Sequence, residues 1–472
     1  MKRGNACGAK GPHREYCNIF NVGHRLFMTN TEQLYLDLGT NPEKDKAKVK
    51  RLRMVLGDKA KREPKFRFYS LYGHIQRRDV LYMAWIKVKS NKGSPGIDGI
   101  TIKSLDSPER IEALIQEIQR ELKEETYRPQ PVKRVYIPKS NGKLRPLGIP
   151  TVKDRIIQMA TLLVLEPIFE ADFLDCSHGF RPERSAEGAL NQISKAIRSG
   201  RNSIYDADLE SYFDTIPHDK LLSCVKMRIV DRKVLKLIKL WLKSPVTEYD
   251  KDKRKWKQKP PSNKGTPQGG VISPLLANLY LHWFDKVFHA SDGPGEWARA
   301  HIIRYADDFV IMARYISEDI KSWVEEKIES WMGLTINKDK TKVIDLTKEE
   351  SLEFLGFSFR WAKDLYGREK RYLEMAPSKG AIGREKEVLR EKINTSKSHI
   401  PLPTLISQVN KQIVGWAGYF KKGYHRKACR TVNYFVRQRL RFHLKRRSQR
   451  RYRPPEGISF YQHLKKLGLV YL

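Results

Sequence analysis

Two acidic stretches carry the chemistry of this sequence. The first reads His301-Ile-Ile-Arg-Tyr-Ala-Asp-Asp-Phe-Val-Ile-Met312 and sets Asp307 and Asp308 side by side between apolar runs. On a hairpin, the turn would lift both acids to the rim of a sheet while the flanking residues anchor it. Adjacent carboxylates raise each other's pKa unless a cation sits between them. The second stretch, Ile204-Tyr-Asp-Ala-Asp-Leu-Glu-Ser-Tyr-Phe-Asp214, spaces Asp206, Asp208 and Glu210 two apart, so on a strand they share one face. Such a stripe beside apolar residues is costly without a counter-charge. Taken singly, an Asp-Asp turn or a row of alternating acids reads as solvated surface. Together, in a strongly basic chain, they point to a pair of divalent cations roughly 4 Å apart, the arrangement used for in-line phosphoryl displacement. Spacing leaves open which member of the trio joins Asp307 and Asp308.

The elements that must position these acids follow from the apolar pattern. Alternation predicts a strand over Val132 to Ile137, a tight turn at Asn141-Gly142 and a return strand over Leu144 to Ile149. Further strands are expected from Ser203, on both sides of the turn within His301 to Ala313, and over Leu352 to Phe359. Helical periodicity covers residues 107 to 124, with Ile111, Leu114, Ile115 and Ile118 on one face. It also covers Arg155 to Phe169, Ser185 to Arg198, Leu221 to Leu242 and Ile320 to Met332. A Gly/Pro loop over Lys264 to Gly270 opens a helix near Ser273 to Phe288. Helices and strands mix without strict alternation, so the fold class is α+β rather than a doubly wound sheet.

Composition sets the partners. The 472 residues carry a formal net charge of +37, with 40% hydrophobic residues, enough for two or three packed cores. Such a charge calls for a polyanion, and nucleic acid or an anionic membrane is the expected partner. No run approaches the 18 or so apolar residues of a membrane span, and the opening Met1 to Cys17 lacks the apolar centre of a secretory signal. Five scattered cysteines fit a reducing compartment, the cytoplasm. Cys7, His13, Cys17 and His24 are zinc-capable types, but their spacing matches no standard finger, so residues 1–70 read as a basic N-terminal extension. From Lys392 to Pro455, 64 residues contain no Asp or Glu and 17 Lys or Arg. There Thr404 is a candidate N-cap for a helix whose apolar face carries Ile406, Val409, Ile413, Trp416 and Phe420. Core packing is the reading for Trp416 and Phe420. A second helix, about Val432 to Leu444, carries Arg437, Arg439 and Arg441, with Lys445 just beyond, as a surface for phosphates.

These motifs resemble the reverse transcriptases and maturases encoded by group II introns. Tyr305-Ala306-Asp307-Asp308 looks like their YxDD box, and Asp208 to Asp214 resembles their first aspartate motif. Lys264-Gly-Thr-Pro-Gln-Gly-Gly-Val-Ile-Ser-Pro-Leu-Leu-Ala-Asn-Leu279 resembles the PQG motif. Pro138 to Pro150 and His178-Gly-Phe-Arg-Pro182 look like the fingers motifs, and the loop Asn91 to Gly99 like the additional N-terminal one. Asn337 to Lys342 and Phe354-Leu-Gly-Phe357 resemble the later motifs. Gly415-Trp416, Tyr419 and Phe420 are similar to the maturase (thumb) domain.

The resemblance implies a right-hand polymerase, with fingers and palm over residues 71–365 and a helical thumb/maturase domain over 366–472. It implies no C-terminal endonuclease, since among the 19 residues after Arg453 only His463 is a Cys or His. It picks Asp208 to join Asp307 and Asp308 in binding two Mg²⁺ ions, with Mn²⁺ an admissible substitute. It places Lys139, Arg145, Phe213 and Gln268 around the incoming nucleotide, Phe213 as the bulky group that excludes a ribose 2′-hydroxyl. Phe354, Leu355 and Gly356 would form the primer grip. The implied partners are a structured RNA, an RNA template with a DNA primer, and dNTPs. The implied roles are primer extension together with intron splicing and mobility. The alternatives are a domesticated relative serving defence or repair, and an RNA-binding splicing factor with secondary polymerase activity.

Overall fold

The computed structural model describes residues 42–138, 144–250, 255–260, 262–364, 370–447 and 452–472. Cys7, His13, Cys17, His24, Lys139 and the Asn141-Gly142 turn lie outside the described residues. The chain forms two compact units: one from the chain up to Ile193 with Tyr205–Lys342, the other from Ser194–Ile204 with Val343–Leu472. The division therefore falls at Lys342 rather than near 365. The strands that follow Val343 pack with the helices after them, although the loss of acidic residues begins only later.

In the first unit, residues read as a basic arm contain a helix, α1 (Pro42–Arg62), with Val49, Leu56 and Ala60 buried. Its apolar stripe is too narrow to register as periodicity. Arg53 on α1 donates to the Leu163 carbonyl at 2.8 Å and pairs with Glu166. Helix α2 (Arg78–Ser90) buries Val80, Leu81, Tyr82, Ala84, Trp85 and Val88. Both acceptors of Arg53 lie on α3 (Val152–Glu170), apolar nearly all round, as a core helix must be. The expected single helix over 221–242 is two, His218–Lys226 and Arg232–Leu242. Asp231 breaks it: one carboxylate oxygen accepts from the Lys233 and Val234 amides, the other from Leu71 and Tyr72 at 2.8 Å each. After the Gly/Pro loop comes α4 (Ser273–Phe288), buried along most of its length.

The strands of this unit are β1 (Val132–Pro138), β2 (Leu144–Ile149), β3 (Ser203–Ala207, which enters the unit at Tyr205), β4 (Val246–Asp250), β5 (Lys255–Lys259), β6 (His301–Tyr305) and β7 (Asp308–Ala313). One sheet has the order β2-β1-β4-β5. The β4–β5 pair has no counterpart in the sequence reading, because its positions hold Glu, Asp and Lys in place of alternating apolar residues. A second sheet places β3 beside the β6–β7 hairpin, in the order β6-β7-β3. Its hairpin strands bury Ile302, Ile303, Phe309, Val310, Ile311 and Met312, which anchor the turn between them.

In the second unit, β8 (Lys342–Asp345) is followed by a meander of β9 (Leu352–Phe354), β10 (Phe357–Lys363) and β11 (Arg371–Pro377). The continuous strand expected over Leu352 to Phe359 is interrupted because Leu355 and Gly356 both take positive φ, 50° and 82°, and form a two-residue turn. Helix α5 (Leu402–Phe420) starts at Leu402 with Pro403 in its first turn, so Thr404 is inside the helix and does not cap it. Its Ile406, Val409, Ile413, Trp416 and Phe420 are buried, as the spacing predicted, and Leu405 is buried as well. Helix α6 (Arg426–Arg447) extends beyond the expected 432–444 at both ends, through Ala428 and Cys429, which are buried, on one side and the basic Lys445–Arg447 on the other. Among the described residues, no helix is long and apolar enough to cross a membrane.

Candidate active site

The paired acids sit where β6 turns into β7, with Tyr305 opposite Asp308 in the register. Ala306 opens this turn at φ 58°, a left-handed conformation that costs a residue with a Cβ about 1–2 kcal/mol. Such strain persists only where the surroundings fix it. Arg304, fully buried, donates from Nη1 to the Ala306 carbonyl at 2.9 Å and to Asn278 Oδ1 at 2.9 Å. Its Nη2 donates to Asp285 at 2.6 Å, in an ion pair closed to water. Asn278 and Asp285 are both on α4, so this helix holds the turn from below. From the other side, Gly179 packs so closely that a Cβ there would lie 2.2 Å from the Ala306 amide nitrogen. The glycine of the His178-Gly-Phe motif is thus required by this turn.

Asp208 lies just past the end of β3, and its backbone is tied down by a carbonyl that accepts from Asn337 N–H at 2.8 Å. The same segment continues through Glu210, whose amide donates to the Thr335 carbonyl at 2.8 Å. Ser211 at φ 48° then turns the chain into the short helix Tyr212–Thr215. Lys340 Nζ donates to Asp208 Oδ2 at 2.6 Å. Nothing in the spacing of Lys340 singled it out, although it falls within the Asn337 to Lys342 motif. Glu210 is exposed.

The electrostatics join the two stretches. Desolvation, then repulsion from Asp307, Asp208 and Asp206, pushes the Asp308 carboxyl up to about 8. Asp308 is exposed, so water tempers the first cause, and crowding by three acids is the sturdier one. Burial and the Asp208 charge push Asp206 up to about 6. Asp307 is raised by burial and by Asp208, against the pull of the Arg145 and Arg304 guanidiniums. An uncompensated set of hard oxygen donors fits Mg²⁺ or a similar ion. The Lys340 ammonium already stands as a cation on Asp208. Among the described residues no three such side chains converge as ready-made ligands.

The candidate nucleotide groups lie in the same unit. The PQG loop runs along the free edge of β2, where the Gly148 amide donates to the Gln268 carbonyl at 2.5 Å. Gly269, at φ 110°, brings a missing Cβ to 2.3 Å from the Gly148 carbonyl oxygen, so only glycine fits. Arg145 Nε donates to Gln268 Oε1 at 3.0 Å. Phe213 is buried, edge-on to Tyr212 and Phe180, and its carbonyl accepts from the Thr266 amide at 2.7 Å. The structure therefore joins Arg145 to Gln268 and Phe213 to the loop that carries Gln268.

Comparison with known proteins fits this geometry. Residues 137–359 match the family model described as "Reverse transcriptase (RNA-dependent DNA polymerase)", and residues 383–456 match "Group II intron, maturase-specific domain". Protein YkfC of Escherichia coli (strain K12) is 33% identical over 368 residues, covering 71% of this chain and 93% of that protein. This chain belongs to the group II intron-type reverse transcriptase and maturase family. Group II intron-encoded protein LtrA of Lactococcus lactis subsp. cremoris is 43% identical over 222 residues, 46% of this chain and 35% of LtrA. The chain thus matches about a third of the length of LtrA. The structure of telomerase from Candida albicans in complex with a telomeric RNA fragment is similar at a TM-score of 0.37 and 13% identity, covering 73% of this chain and 64% of that one. A likeness that weak carries no weight here.

In this reverse transcriptase the remaining candidates fall in the second unit. Phe354, Leu355 and Gly356 form the β9–β10 turn, with the Leu355 carbonyl accepting from Tyr419 Oη at 3.0 Å and the Gly356 carbonyl accepting from Ser378 N–H at 2.8 Å. The four candidate basic residues of α6, Arg437, Arg439, Arg441 and Lys445, do not share one environment. Arg439 donates to the Ile393 carbonyl at 3.1 Å and is half-buried. Arg437 lies 5.6 Å over the Tyr434 ring and Arg441 5.3 Å over Phe460. Arg441 and Lys445 are exposed on one face, a helical turn apart.

Proposed function

We propose that the chain extends a DNA primer along an RNA template, with Asp208, Asp307 and Asp308 as the acids that hold two Mg²⁺ ions. The observation that supports this most is the electrostatic crowding of those acids at the turn between β6 and β7. The primer 3′-oxygen would attack the α-phosphorus, forming a P–O bond as the bond to pyrophosphate breaks. Bound Mg²⁺ would supply the Lewis acidity that favours the attacking alkoxide and neutralises the leaving pyrophosphate. The chain's part is placement. Asp307 and Asp308 are presented by a turn that Arg304 and Gly179 fix in advance, and Asp208 is presented by its bond to Asn337. Lys340 would give up or share Asp208 when a cation arrives. Arg145, steadied by Gln268, would meet the triphosphate, and Phe213 would bar a 2′-hydroxyl.

Replacing both Asp307 and Asp308 with Ala is expected to abolish Mg²⁺-dependent cDNA synthesis on an RNA template while RNA binding persists. Synthesis retained by that variant would refute the assignment. A second reading, binding of a folded intron RNA for splicing, is favoured by the maturase-specific match and by the acid-free stretch from Lys392 to Pro455. The two roles are compatible on one chain.

A further inference from the structure

The edge of the four-stranded sheet in the first unit carries a surface that the polymerase chemistry above does not use. Cross-strand partners share a face, so the register sorts its residues. Ile137 pairs with Arg145, Val135 with Leu147 and Lys133 with Ile149 across β1 and β2. Lys133 neighbours Thr247 across β1 and β4, Thr247 pairs with Gln258 and Tyr249 with Trp256 across β4 and β5. One face therefore runs from Arg145 through Lys133 to Tyr249 and Trp256. Among the described strand residues it holds two cations and no acid, whereas Glu248 and Asp250 belong to the opposite face. Lys257 and Lys259 of the edge strand lie there too, Lys259 paired with Glu248 at 2.6 Å, and serve as an edge guard.

On the first face, two aromatic rings stand in water. Tyr249 is 46% exposed and Trp256 44%. Their centroids are 5.3 Å apart in an edge-on arrangement, and Lys133 Nζ lies 5.6 Å over the Trp256 ring. Half-exposed rings beside a cation, on a face whose described strand residues include no acid, are what unpaired bases and their phosphates recognise. The location adds direction. Three strand spacings separate β2 from β5, roughly 14 Å. The rings thus lie a few nucleotides from Arg145, on the same face as the candidate triphosphate contact.

We propose that Lys133, Tyr249 and Trp256 form a stacking platform for the single-stranded RNA template as it approaches the active site. This rests on the polymerase reading and adds a site to it. A protein partner would instead want a larger apolar patch than two rings.

The test uses the full chain bound to a primer–template whose RNA overhang carries 4-thiouridine at successive positions beyond the templating base. Photocrosslinks from the second to fourth such positions are expected in the 246–259 peptide. The Tyr249→Ala/Trp256→Ala variant should bind a fluorescent single-stranded RNA at least about fivefold more weakly, as loss of one stacked base implies. The Tyr249→Phe/Trp256→Phe variant should recover most of that loss, which separates stacking from misfolding. Crosslinks confined to other segments, or equal affinity of the Ala and Phe variants, would overturn the platform. Primer extension by the unaltered chain is read from the same complex. Extension without hairpin crosslinks sinks the platform alone, while hairpin crosslinks without extension sink the polymerase reading and leave an RNA-binding platform standing.

Discussion

At the scale of single residues, the account depends on acids that repel one another and on side chains that hold them in place regardless. The acids were legible because carboxylates among apolar residues are costly, and the pattern of that cost is written in the order of residue types. Arg304 and Lys340 were not legible. A cation directly after an apolar pair looks like any strand residue until Asp285, Asn278 and the Ala306 carbonyl are seen around it. Arg439, grouped by sequence with Arg441 and Lys445, bonds a backbone carbonyl, because charge alone does not tell which way a helical residue points. Phe213 gives a prediction at this scale. Its ring is held by Tyr212 and Phe180 and its backbone by Thr266. Phe213→Ala is expected to lower the discrimination between dNTP and rNTP, read as the ratio of kcat/KM values, by roughly tenfold or more. An unchanged ratio would remove the gate.

At the scale of elements, α4 links the chemistry to the core, since Asn278, His282 and Asp285 all project from it. The helix itself was plain from its apolar run after the PQG loop. The β4–β5 pair was not, because strands held by edge pairing need no apolar alternation. His282 is buried edge-on against Phe173, and desolvation, partly offset by Asp285, depresses its pKa to about 4. An unfolded chain would take up that proton near pH 6.5. The stability contributed by the neutral ring is therefore complete above about pH 6.5 and is lost as pH falls towards 4. Thermal melting across this window should show Tm declining with pH, and His282→Leu should flatten the decline. A slope unaltered in the variant would mean that other groups set the acid response.

At the scale of the whole chain, charge was the most readable property and domain boundaries the least. A net charge of +37 pointed to a polyanion before any motif was located. The limits of the two compact units depend on which strands pack with which helices, and composition does not encode that. The exposed basic face of α6 supplies the prediction here. Replacing Arg441 and Lys445 with Gln should reduce the slope of log affinity for structured RNA against log salt by roughly one to two. Arg439→Gln should leave the slope unaltered. If the double variant keeps the full slope, that face of α6 does not meet phosphate.

The most direct measurement counts ions. Mn²⁺ binding is followed by electron paramagnetic resonance in the full chain with a chain-terminated DNA primer on an RNA template and the next dNTP. Two bound ions are expected for the unaltered chain, with at least one lost when Asp208 or Asp307 is changed to Asn. A count unchanged by either substitution would contradict the shared carboxylate site.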